Sequence, residues 1–156
     1  GGTIDSLQDI GANTDHQIGA SYVSLKELAA TYPPDEKLAL LLWNQGQREE
    51  QIVACLLFPQ DLNKEKITQL APHCLHFEIA GYLGSLYLYK RSDLLELWLN
   101  SENPLMQLAI MTALARYLIL NKESDKISKD YFRTVVNRNY KDKYVQLAAE
   151  RYRFNI

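Results

Sequence analysis

Glycosidic and phosphoester chemistry leans on carboxylates, so the acidic residues are the first place to look for a reaction centre. Glu78 stands beside Phe77 at the start of an apolar-periodic segment and is the one acid on it. Glu49 and Glu50 follow the turn at Gly46, where they favour a helix N-terminus through its dipole without any catalytic part. His16, His73 and His76 are scattered, and the last two flank a helix start, which suits a turn residue and a cap better than a metal site. Cys55 and Cys74 lie in apolar surroundings without the close Cys or His companions of a four-ligand zinc site, so reduced core thiols are expected. No glycine-rich phosphate loop, zinc signature, nucleophile elbow or kinase element occurs. No metal or cofactor is expected.

The elements that must carry these residues are helices. Between Asp35 and Leu57, Leu38, Leu41, Leu42 and Gln45 fall at helical spacing, Gly46 sits where a helix ends in a left-handed residue, and Ile52, Cys55 and Leu56 restart the period. Neither helix buries its apolar stripe alone, which calls for stacked neighbours of the same kind. A short helix from Ser24 to Tyr32 stops at Pro33-Pro34. Pairs then follow: Asp35 to Gln45 with Arg48 to Leu57, Lys64 to Leu70 with Phe77 to Lys90, Ser92 to Leu99 with Pro104 to Leu120, and Lys129 to Asn137 with Lys141 to Tyr152. Asn103 caps the helix opened by Pro104, and Ser128 caps the one from Lys129. Pair starts recur every ~28 to 37 residues, close to helical-hairpin repeats. The expected architecture is an all-α, HEAT-like or armadillo-type α-solenoid forming one domain over residues 1–156, with residues 1–17 too weakly patterned to assign.

Within that array the helix from Pro104 is apolar nearly all round and should be the buried stability centre. Gly81 and Gly84 interrupt the helix from Phe77, at ~1 kcal/mol each relative to Ala, so close helix contact or a ligand surface should offset them; contact is the preferred reading.

Length, composition and charge bound the function. A chain of 156 residues, 47% apolar and 23% charged, can fold without staples, and no apolar run approaches the ~18 residues of a membrane span. Gly1 to Asp15 lacks the basic start and apolar stretch of a signal peptide, which predicts a cytoplasmic protein, monomeric and away from membranes. The net charge of −2 hides an asymmetry: from Asp125 onward eight Lys or Arg face four Asp or Glu, against nine and fifteen before it. Such a tail either follows a phosphate backbone or solvates the outer faces of the last helices. Eight of the ten tyrosines fall from Tyr82 onward; helix packing is the preferred reading, and stacking on nucleic acid or a partner is the alternative.

The stretch GASYVSLKELAATYPPDEKLALLLWNQGQREEQIVACLL resembles the HEAT-like repeat alkylpurine DNA glycosylases of the AlkD type, a DNA alkylation repair family. Asp35, Leu38, Ala39, Leu42, Trp43, Gly46, Glu49 and Ala54 match the pattern, and Leu97-Trp98 with Ser101 resembles the next repeat. The resemblance implies a C-shaped solenoid whose basic concave face holds duplex DNA and excises a cationic alkylated purine. It also implies a carboxylate that stabilises an oxocarbenium-like sugar, aromatic residues against the lesion nucleotide, and an arginine on phosphate.

Carried across, Phe77 stands for the first aromatic of the family's Trp-Asp-x-x-Asp element and Glu78 for its first acid, while Gly81 occupies the place of the catalytic carboxylate. The phosphate arginine falls at Leu108 and the second tryptophan at Arg151. The candidate set is therefore Glu78 as catalytic group; Phe77, Trp43 and Trp98 against the substrate; and Arg116, Arg133, Lys141, Lys143, Arg151 and Arg153 on the DNA backbone. The expected function is DNA binding with base excision reduced or lost. The alternatives are an active glycosylase using Glu78, and a scaffold whose groove holds a protein partner.

Overall fold

Asp35 shows how the local sequence sets the helix boundaries. In a computed structural model of the chain, described for residues 21–94, 100–121 and 129–154, its carboxylate accepts from the Leu38 N–H at 2.9 Å and opens a helix over Glu36–Asn44. Trp98, most of the expected Ser92 to Leu99 helix, the Ser128 cap and residues 1–17 lie outside the described residues. The described residues are helical and contain no strand, as the all-α expectation requires. The chain divides into two compact units, Gly1–Leu75 and His76–Ile156.

In the first unit, α1 (Tyr22–Ala29) packs against α3 (Arg48–Leu57), and α2 (Glu36–Asn44) pairs with α3. Helix α1 begins earlier than the expected Ser24 because Ser21 caps it, accepting from the Ser24 N–H at 3.2 Å; Thr31 and Tyr32 already belong to the turn before Pro33. Gly46, with φ of 74°, makes the left-handed turn between α2 and α3. At the far end the Asp35 N–H donates to the Leu57 carbonyl at 3.0 Å, so the hairpin is closed at both ends. The expected helix to Leu70 is shorter: α4 covers Lys64–Thr68, capped by Asn63, and a 3-10 turn follows at Ala71–His73, where Pro72 supplies no N–H for a continuing helix.

Among the described residues no buried side-chain nitrogen or oxygen lacks a hydrogen-bond partner. Gln51 has no exposed surface; its amide donates to the carbonyls of Trp43 at 2.9 Å and His73 at 2.6 Å and accepts from the Leu75 N–H at 3.0 Å. Trp43 donates its indole N–H to the Leu70 carbonyl at 2.9 Å and tilts against Phe58. Two side chains thus pin residues 70–75 to the α2–α3 hairpin.

In the second unit, α5 (Phe77–Tyr82) runs into a widened π-type turn at Leu83–Tyr87 and a 3-10 turn at Leu88–Lys90. The long α6 (Pro104–Leu120), capped by Asn103, packs against α5, both of these turns, α7 (Lys129–Val136) and α8 (Lys143–Phe154). Its buried residues run from Met106 to Leu114, which bears out the reading of an internal helix, but the last turn opens to solvent, with Ile119 60% and Leu120 50% exposed.

Gly84 explains how the α5 segment approaches α6 so closely. A Cβ there would lie 2.1 Å from the Ala109 carbonyl oxygen and 3.0 Å from the Ala113 nitrogen, both backbone atoms that cannot swing aside. Close contact is therefore the reason for Gly84. Gly81 differs: a Cβ built there meets no heavy atom within 4 Å.

Candidate functional site

His76, Phe77 and Glu78 open α5. His76 caps it by accepting the Glu78 N–H on Nδ1 at 3.2 Å, and Glu78 is exposed in the first turn, where a carboxylate complements the helix dipole. Phe77 is half-buried because the ring of Tyr144 lies flat on it, centroids 4.3 Å apart and planes inclined by 13°.

Helix α8 brings Tyr144 there. Asp142 accepts from the N–H groups of Tyr144 at 2.8 Å and Val145 at 3.1 Å, which starts the helix two residues later than the expected Lys141. Val145 and Ala149 turn inward, leaving Tyr144, Leu147 and Arg151 at helical spacing on the opposite face. Lys141, Lys143, Arg151 and Arg153 are all exposed.

Not every candidate converges here. Trp43 is 0% exposed with its indole N–H committed to Leu70, so the expectation of a substrate contact gives way to a core role in the first unit. Arg116 is exposed on α6 with its guanidinium carbon 6.0 Å from the Tyr89 ring centroid, beside the Lys90 ammonium at 5.7 Å from the same ring. Arg133 pairs with Asp130 at 2.9 Å along α7. Leu108, where the resemblance puts the phosphate arginine, is a buried residue of α6. Gly81, where the resemblance puts the catalytic carboxylate, follows Glu78 by one helical turn and offers no side chain.

Tyr144 is the residue sequence reasoning did not single out. It lies 67 positions from Phe77, and the signals were its place in the tyrosine-rich latter half and an aromatic in the first turn of each of two helices. Among the described residues no group of three or more His, Cys, Asp or Glu side chains is arranged to hold a metal ion. What the arrangement offers is an aromatic pair, exposed carboxylates at Glu78 and Glu150 and several exposed cations: it can hold a flat ring and phosphates and place negative charge nearby.

The family model for DNA alkylation repair enzymes matches residues 2–129, and the chain belongs to that family. No curated protein and no solved structure matches it. The matched segment includes Phe77, Glu78 and Gly81, while Tyr144 and the basic residues of α8 lie beyond it. Among the described residues no helix is long and apolar enough to cross a membrane.

Proposed function

We propose that this protein is a DNA-binding member of its family in which base excision is reduced or lost. Helical hairpins stacked in the HEAT-like manner would present a concave face to duplex DNA, with the chain acting as a monomer. The observation that carries the reading is Gly81. An N3- or N7-alkylated purine is already a good leaving group, so the protein's main task in excision is to stabilise the positive sugar with a fixed carboxylate. Glycine at that position supplies none. The exposed cations of α8 support affinity for phosphate without chemistry.

Glu78 favours one second reading, an active glycosylase, because its carboxylate is solvent-exposed one turn before Gly81 on the same helix face.

The test has two arms. Duplex affinity measured against salt should fall linearly on logarithmic axes, with a slope of about −0.9 per phosphate contacted; a protein with no duplex affinity at low salt would instead be a scaffold for a protein partner. Incubation with DNA containing 7-methylguanine should release little base. Rapid release that disappears in Glu78→Gln would establish the second reading.

A further inference from the structure

The Phe77–Tyr144 stack has two unequal members. Phe77 is half-buried, whereas Tyr144 remains 48% exposed although Phe77 covers one of its faces. Other tyrosines of this unit show what a packing role looks like: Tyr87 is 1% exposed, and Tyr140 donates its hydroxyl to the Val135 carbonyl at 2.7 Å. Phe77 covers one face of the Tyr144 ring, and nearly half of Tyr144 stays exposed. Leu147, one turn along α8, is 51% exposed and extends the apolar edge. Three cations, Lys141, Lys143 and Arg151, are exposed on this side of the ring; the acids nearby in sequence are Asp142, which accepts from the N–H groups of Tyr144 and Val145, and the exposed Glu78 and Glu150.

We propose that Tyr144, backed by Phe77, is a stacking platform for an unpaired nucleobase, with Lys141, Lys143 and Arg151 holding the adjoining phosphates. This rests on the DNA-binding reading above and gives it a location. A ring supported on one face loses little freedom when a base stacks on the other, which is how a preorganised surface gains affinity. A flat exposed ring amid cations complements both halves of a nucleotide, base and phosphate; a peptide would need acidic residues to use the same charge.

The full chain should be titrated at low salt into a duplex carrying a single bulged 2-aminopurine and into the same duplex without the bulge. The bulged duplex should bind about tenfold more tightly, the size expected for one base stacked on an aromatic side chain, and the probe's fluorescence should be quenched. Tyr144→Ala should abolish the preference and the quench; Tyr144→Trp should keep both. If Tyr144→Ala retains the preference, or if the wild-type chain binds the two duplexes equally, the platform is wrong and DNA binding stands. If neither duplex binds, both readings fall together.

Discussion

At the scale of single residues, the buried polar groups carry more of the fold than the sequence suggests. Removing the Gln51 side chain takes this partner from the His73 carbonyl and the Leu75 N–H, while the Trp43 carbonyl keeps the Gly46 N–H at 3.2 Å. Each such orphan costs about 1 to 3 kcal/mol when buried, less where water can enter. Gln51→Ala should therefore lower unfolding stability by about 2 to 4 kcal/mol in a urea titration. Cys55 gives a second test. Burial, reinforced by Cys74, pushes its thiol well above the ordinary range. The folded chain then keeps a proton that the unfolded chain releases, so stability from this group is intact below the ordinary thiol pKa of about 8.5 and is lost as pH rises beyond it. Cys55→Val should flatten the alkaline decline in melting temperature relative to the wild type. Neither residue announced its role by type: Gln51 reads as one more polar residue on an amphipathic helix, and only the folding back of residues 70–75 gives its amide three partners.

At the scale of elements, two glycines three positions apart should respond oppositely to the same substitution. Gly84→Ala drives a Cβ into the α6 backbone and should cost about 2 to 3 kcal/mol, outweighing the gain in helix propensity. Gly81→Ala meets open space and should stabilise by about 0.5 to 1 kcal/mol through that same propensity. Thermal melts of the two variants check this directly. The sequence made both glycines conspicuous but could not separate them, because the distinction depends on how closely α6 approaches. Helix positions were more legible. Asp35, Asn63 and Asn103 cap where their types predict, and α3 spans the expected Arg48–Leu57. The errors fell where short polar residues compete as caps, as at Ser21 and Asp142, and where the helix expected to reach Leu70 ends at Thr68 with a 3-10 turn after it.

For the molecule as a whole, the family was readable because its anchors, among them Asp35, Leu42, Trp43 and Gly46, set the α2–α3 hairpin and do not require the catalytic residues. The same anchors misled at Trp43, where a family position suggested a ligand contact and complete burial makes it a core residue. Charge belongs to this scale as well. Neutralising Lys141 and Lys143 together should weaken duplex binding at every sequence and lower the salt slope by about 1.8, close to two phosphate contacts. An unchanged slope in that double variant would assign those lysines to solvation alone.

The absence of a carboxylate at Gly81 is the claim on which the functional account turns, and base release from 7-methylguanine DNA by Gly81→Asp and wild-type chains, compared side by side, tests it most directly. The open space at that position admits the new side chain, so the account predicts slow or no release by the wild type and a gain of at least about tenfold in the variant, corresponding to about 1.4 kcal/mol of transition-state stabilisation. Wild-type release as fast as that of Gly81→Asp, with equal DNA binding, would contradict it.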